Sequence, residues 1–176
     1  MGKSLATHLT KQTGEFLVAG ELCRRGLFAT TFSGNMPYYD AVVHTNEGFI
    51  RFIQVKARRE ATSSWVLSTE EFLELECGAD HHAIRGLIAQ PVTDLFYVFV
   101  VLRATGLDEF YVLNFSELQS IVHQKYAEWL AKKNRPKVNP FDLRSEWIAN
   151  FRDRWDAISE GVFHASRVRT NPTNHG

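Results

Sequence analysis

The chain has 176 residues, of which 44% are hydrophobic and 23% charged, enough for one domain with a substantial core. Lysine plus arginine equals aspartate plus glutamate at 20 each, which excludes a globally basic or acidic protein; only a local basic patch would attract a nucleic acid. The longest apolar run, 95–102, is too short to cross a bilayer, and the N-terminus is polar, so we expect a cytoplasmic protein without a membrane partner.

The first half of the chain shows one helical pattern followed by strand patterns. Apolar residues spaced by three, four and seven predict an amphipathic helix over about 5–25, which Gly26 ends. Runs rich in aromatic and β-branched residues predict strands, joined by turns at 33–37 and 46–48, over 27–33, 39–45, 49–59 and, as a short fourth strand, 65–68. Ser68 with Glu71 resembles a capping box and predicts a helix over 69–78.

The second half is predicted to hold two strands and two helices. The strands cover 94–104 and 108–115 and form a hairpin. One helix follows Ser116 over 117–133, and an aromatic spacing of six, four and four predicts another over 139–158. We therefore expect a single domain over 1–165 with a C-terminal helical extension at about 116–160, and a disordered tail over 166–176.

This order of elements, αβββ(β)αββαα, predicts the α/β class, with a mixed β-sheet flanked by helices. The first three strands are joined without room for crossover helices. A doubly wound parallel sheet is therefore excluded.

Three polar residues interrupt the second and third predicted strands. Gln54 and Lys56 point to one face of their strand, because side chains alternate between faces. The short turn before this strand brings Asp40 opposite roughly Ile53, within one step of Gln54. An acid, an amide and an ammonium group are therefore expected to meet at one edge of the sheet.

Such a cluster suits a Mg²⁺ ion, which prefers oxygen ligands. Asp40 would be the anionic ligand and the Gln54 carbonyl a neutral one. Lys56 would orient the attacking water and offset charge on a phosphorane. The alternative is a surface ion pair of Asp40 with Lys56, and a glutamine on a solvated strand face.

The segments "YDAVV" and "IQVKARR" resemble the signature of the PD-(D/E)xK nuclease superfamily, whose members share the restriction-endonuclease-like fold. Asp40 matches the first acid, and Gln54 with Lys56 matches the (Glu/Asp/Gln)-x-Lys element. Tyr39 replaces the usual proline, and Gln54 replaces the usual acid, which removes one negative charge. Gln-x-Lys variants occur in active members, including homing endonucleases.

The resemblance implies a third metal ligand, an acid on the first helix. Glu15 stands eleven residues before Gly26 and matches it; Glu21 is the reserve acid, and the alternative for Glu15 is a solvent-facing helix residue. The resemblance implies a Mg²⁺-dependent DNA endonuclease, with Mn²⁺ as a substitute, that is a homodimer if both strands of a duplex are cut. Two other hypotheses are a catalytically inactive nuclease-fold module that binds DNA or protein, and a structural or interaction protein.

Two basic segments are candidate DNA contacts. Arg58 and Arg59 continue the third strand beyond Lys56, and Lys132 and Lys133 begin a basic loop after a helix. The alternative in both places is a solvated run of charges. The aromatic stripe over 139–158 is interpreted as core or dimer interface.

Overall fold

The computed structural model describes residues 3–32, 36–45, 47–77, 82–132 and 141–160. The α-helices in these ranges are α1 (Lys3–Arg24), α2 (Phe115–Leu130) and α3 (Asp156–Ser159). The strands are β1 (Phe28–Thr31), β2 (Ala41–His44), β3 (Ile50–Arg59), β4 (Ser64–Leu67), β5 (Leu73–Cys77), β6 (His82–Leu87), β7 (Leu95–Leu102), β8 (Glu109–Asn114) and β9 (Phe141–Arg144). Short 3₁₀ turns cover Thr69–Glu71, Ser145–Trp147 and Ala149–Phe151.

A five-stranded mixed sheet in the order β1-β2-β3-β7-β8 organises the fold. All neighbours are antiparallel except β3 and β7, which are parallel. All but the last residue of β7 are buried, because this strand has a covered face on both sides. Two smaller sheets, β4-β9 and β5-β6, accompany it. The predicted α/β class with a mixed sheet flanked by helices is confirmed.

Alternate residues of the central strands belong to two hydrophobic clusters on opposite faces of the sheet. One cluster contains Tyr97 and Phe99 with residues of α2. The other contains Val98 and Val100 with residues of α1. This alternation follows from the two-residue period of a β-strand, and it fixes which face each polar residue of the neighbouring β3 occupies.

Helix α1 lies unusually close to β3 because it carries a glycine at the contact. A Cβ atom added to Gly14 would lie 2.4 Å from the Cβ of Ala57. The helix ends as predicted at Gly26, which has a φ of +80°, and the Leu27 N–H donates to the Leu22 carbonyl at 3.1 Å. This Schellman-type ending directs the chain into β1.

The helix predicted over 69–78 is wrong. Ser68 makes no side-chain capping hydrogen bond, and after a single 3₁₀ turn the chain forms β5, which pairs with β6, a strand that we did not predict. Leucine and glutamate alternate over 73–76 with the period of a strand. The buried Gln119 amide also donates to the carbonyls of Phe72 and Ile88, at 2.8 Å each, and ties both ends of this hairpin to α2. Tertiary packing therefore overrides the helix propensity of these residues.

The helix predicted over 139–158 is also wrong. Phe141 begins β9, which pairs with β4 through Leu67, and the chain then forms two 3₁₀ turns and the four-residue α3. Asp153 has a φ of +51°, which no α-helix tolerates. The aromatic residues nevertheless enter the core, as Phe141 and Trp155 are buried.

The other predicted elements, α1, β1 to β4, β7, β8 and α2, are confirmed within a few residues at their ends. Helix α2 begins after Asn114 rather than Ser116, and Asn114 forms a full capping box with Glu117. Part of the predicted turn at 33–37 and the tail from residue 166 lie outside the described residues. No helix among the described residues is long and apolar enough to span a membrane.

Candidate metal centre and adjoining groove

Asp40 immediately precedes β2, beside the part of β3 that extends past the β2-β3 pairing. The register pairs Ala41 with Ile53, so Asp40 stands opposite Gln54, one step from the predicted position. Its backbone N–H donates to the Ile53 carbonyl at 2.8 Å. Asp40 Oδ2 accepts a hydrogen bond from the Val55 N–H at 2.8 Å and one from Gln54 Nε2. The carboxylate is thereby fixed at the sheet edge, with only 9% of its side chain exposed.

Glu15 reaches the same place from α1. Lys11, one helical turn earlier, places its ammonium between the two acids: Lys11 Nζ lies 3.5 Å from Glu15 Oε1 and 3.3 Å from Asp40 Oδ1. Glu15 is 13% exposed, whereas Lys11 is 49% exposed. The alternative of a solvent-facing Glu15 is therefore excluded, and Asp40 forms its ion pair with Lys11 rather than with Lys56.

The surroundings of Glu15 perturb its carboxyl group. Burial raises the pKa of Glu15, and the neighbouring negative charge of Asp40 raises it further, against the opposing effect of Lys11. Burial on its own would lower the pKa of Lys11, but the two acids outweigh it and raise that pKa above its ordinary value. A cation between these acids therefore relieves a repulsion that the fold imposes.

The donor set fits a hard divalent cation. Oxygens of Glu15 and Asp40 already lie within 3.5 Å of one positively charged atom, and Gln54 contacts Asp40. Among the described residues, no group of three or more His, Cys, Asp or Glu side chains is placed to hold a metal ion. A metal here would therefore take two carboxylates, with the remaining ligands from the Gln54 amide oxygen, water or a substrate, as Mg²⁺ does.

The amide of Gln54 has an orientation that matters for this role. Its Nε2 faces Asp40, and an amide nitrogen bears hydrogens and cannot bind a cation. Rotation of the amide by half a turn would present Oε1 instead.

A groove with a volume of about 630 Å³ adjoins the acids. Its floor is the part of β3 beyond Ile53. Among the described residues this part pairs with β7 on one side and with no strand on the other, because β2 pairs no further than Ile53. Its walls are the first half of α1 and the segment from Thr62 to Val66. Four cationic side chains line it, namely Lys11, Lys56, Arg58 and Arg59.

Lys56 lies on the same face of β3 as Gln54 and lines the groove, partly exposed. Arg58 is engaged in the structure: its guanidinium stacks 4.4 Å from the ring centre of Trp65 and donates to Ser145 Oγ at 2.7 Å and to the Thr62 carbonyl. Burial lowers its pKa. Arg59 is exposed at the rim.

The remaining candidates lie elsewhere. Lys132 is exposed just after α2, and Lys133 lies outside the described residues. Glu21, the reserve acid, forms ion pairs with Arg24 at 2.9 Å and with Arg25 at 3.5 Å near the end of α1. The structure therefore brings Glu15, and not Glu21, to Asp40.

Lys11 is the residue of this cluster that the sequence reasoning missed. Two signals were available: its spacing of four from Glu15, which places the two side chains on one face of a helix, and the Lys-x-x-Gly pattern that precedes the helix acid in the resembling families, which Lys11 and Gly14 match. The sequence alone gives no sign that the same ammonium also reaches Asp40, because that contact depends on how closely α1 packs on β3.

Comparison with protein-family models finds no match, and comparison with curated proteins finds none. Among solved structures, the chain is similar to one described as the structure of a bacterial homing endonuclease, I-Ssp6803I. The similarity covers 86% of this chain and 92% of that chain, at 17% sequence identity and a TM-score of 0.48. Similarity at this level assigns neither residues nor an activity, so the function depends on the geometry of the site.

Proposed function

We propose that this protein is a Mg²⁺-dependent DNA endonuclease of the restriction-endonuclease-like fold and the PD-(D/E)xK superfamily, in the Gln-x-Lys form. One observation carries the proposal: the carboxylates of Glu15 and Asp40, from a helix and a strand end, share the Lys11 ammonium, and Asp40 contacts Gln54, which lines a groove with four cationic side chains. Rigid elements hold Glu15, Asp40 and Gln54, as a metal site requires.

In this mechanism Glu15, Asp40 and the Gln54 amide oxygen would hold the metal, for which Mn²⁺ would substitute. When bound, the metal supplies Lewis-acid polarisation of the phosphate and makes water more acidic. Water attacks phosphorus, an O–P bond forms, and the P–O3′ bond breaks to leave a 3′-hydroxyl. Lys56, which lines the groove beside Gln54, would orient the water and offset the charge that develops on the phosphate oxygens.

The groove supports a polyanionic partner. Lys56, Arg59 and Lys11 would contact phosphates, while Arg58, held by Trp65 and Ser145, shapes the groove wall. Lys132 and Lys133 would extend the contact to a flanking backbone. Cleavage of both strands of a duplex by one site per chain calls for a homodimer. We propose the cytoplasm as the compartment.

A second candidate is a nuclease-fold module that binds DNA or protein without cleaving it. The observation that favours it is the network around Asp40, whose oxygens are already occupied by Lys11, the Val55 N–H and Gln54. Such a closed network holds the acid in place with no metal.

The test is cleavage of a panel of supercoiled, linear, branched and single-stranded DNA with Mg²⁺, Mn²⁺ or a chelator. We expect metal-dependent cutting that falls by at least about 100-fold in Asp40→Asn and in Lys56→Met. Asn keeps an oxygen acceptor for the Val55 N–H, so the fold should persist. Lys125→Met, which removes a lysine paired with Glu128 on α2, is the matched control and should cut normally.

Absence of cutting by the wild type on every substrate would contradict the endonuclease. If the same protein bound DNA but took up no Mn²⁺ in a calorimetric titration, the binding module would be the better description.

A further inference from the structure

Lys11 forms ion pairs with both Glu15 and Asp40, the two acids that would hold a bound cation. Its ammonium lies 3.3 Å from one acid and 3.5 Å from the other. Each acid is nearly buried, so neither is screened by water as an exposed side chain would be. An ammonium and a divalent cation in one space between the same oxygens would repel each other strongly.

Lys11 is the more exposed partner in both ion pairs. Its side chain is 49% exposed and lines the groove, whereas both acids are held by their elements. A lysine has a long flexible stem and a strongly hydrated head, so rotation into the groove moves the charge without disturbing α1. The groove already contains Lys56 and Arg59, and an added phosphate would stabilise a third cation there.

We propose that Lys11 is the resident counter-ion of the site: it holds the two acids together when no metal is present, opposes metal binding, and moves into the groove when a divalent cation takes its place. This inference depends on the proposed metal site and adds a residue that sets its affinity. Lys11 is a positioning residue in the metal-free protein and a phosphate contact in the loaded one. DNA in the groove would then favour metal binding by drawing Lys11 away.

The test is calorimetric titration of Mn²⁺ into the protein without DNA, which does not depend on catalysis. Lys11→Met keeps the length and packing of the side chain but removes its charge. We expect it to bind Mn²⁺ roughly tenfold more tightly, because each partly exposed ion pair that Lys11 makes is worth up to about fivefold. Lys11→Arg keeps the charge and should bind no more tightly than the wild type.

Arg24→Met is the matched control. Arg24 lies on the same helix and pairs with Glu21 at 2.9 Å, but it does not touch the acids of the site. Its loss should leave Mn²⁺ affinity unchanged. In a thermal unfolding series, Lys11→Met should have a lower Tm than wild type in a chelator and a larger rise in Tm on adding Mn²⁺.

Tighter binding in Lys11→Met, or binding seen in that variant alone, supports the inference. Equal or weaker binding overturns it, because Lys11 would then be neutral or would organise the ligands. If the wild type binds Mn²⁺ and Asp40→Asn removes that binding, the metal site stands whatever Lys11 does. If Asp40→Asn leaves binding unchanged, or no variant binds Mn²⁺, the metal site fails and the role of Lys11 fails with it.

Discussion

We predict that the metal site requires the close contact between α1 and β3 at Gly14. In Gly14→Ala, the new methyl group would lie 2.4 Å from the Cβ of Ala57, about 1 Å short of an ordinary contact. The Ala57 Cβ is fixed to the backbone of a central strand, so the helix must move. Glu15 is the next residue and Lys11 lies one turn earlier, so both would move away from Asp40.

The magnitude follows from two opposing effects. Alanine in a helix interior is more favourable than glycine by about 0.8–1.0 kcal/mol. Overpacking a tight contact costs about 1–3 kcal/mol. Gly20 is an exposed glycine in the same helix, and a Cβ there would meet nothing within 4 Å, so Gly20→Ala receives only the first effect. The free energies of unfolding of the two variants should therefore differ by about 1–3 kcal/mol, with Gly20→Ala the more stable.

Urea unfolding of both variants measures this difference directly. Mn²⁺ affinity and DNA cleavage should also fall in Gly14→Ala, by up to about 100-fold for a displacement near 1 Å, and stay unchanged in Gly20→Ala. Equal stabilisation of the two variants would refute the reasoning, because the helix would then have room at Gly14.

Three further predictions follow from the site and its support. Gln54→Glu adds a third carboxylate, so it should lower the Tm in a chelator and raise Mn²⁺ affinity by at least about tenfold; unchanged affinity would place Gln54 outside the metal site. The raised pKa of Glu15 means that the folded state keeps this proton to higher pH than the unfolded chain, whose ordinary value is 4.5. The stability that this group contributes is therefore present below that pH and is lost as the pH rises through the folded pKa. Glu15→Gln lacks this loss, so its free energy of unfolding relative to wild type should increase as the pH rises from 4.5 through the folded pKa of Glu15. Urea unfolding with a chelator measures this difference, and a difference that does not change with pH would contradict the raised pKa of Glu15. Asp94→Asn removes the negative charge that lies 2.6 Å from the fully buried Arg51 guanidinium and should destabilise by about 3 kcal/mol in the same assay; a loss below about 1 kcal/mol would show that the pair is not needed.

The part of the site that lies on the β2-β3 hairpin was predictable, because a short turn and the two-residue period of strands fix which side chains meet. Asp40 and Gln54 are one step from the expected register. Glu15 was placed through a resemblance and a helix count. Lys11 was not found, since its contact with Asp40 depends on the depth of packing at Gly14, which no periodicity encodes.

The two wrong helices share a cause. In each, local signals for a helix were outweighed by pairing with another strand. Residues 73–77 pair with β6 and are held by Gln119, and Phe141 pairs with β4 across more than 70 residues of chain. Sequence reasoning weighs near neighbours, so it missed strands whose partners are distant or are short strands with weak patterns of their own.

The location of a bound divalent cation tests the central claim most directly. Crystals grown with Mn²⁺ and measured at its absorption edge would show the ion as an anomalous peak. We predict one peak in direct contact with carboxylate oxygens of both Glu15 and Asp40, with Lys11 turned into the groove. A peak at another place, or an empty site with Lys11 still between the two acids at saturating Mn²⁺, would contradict the account.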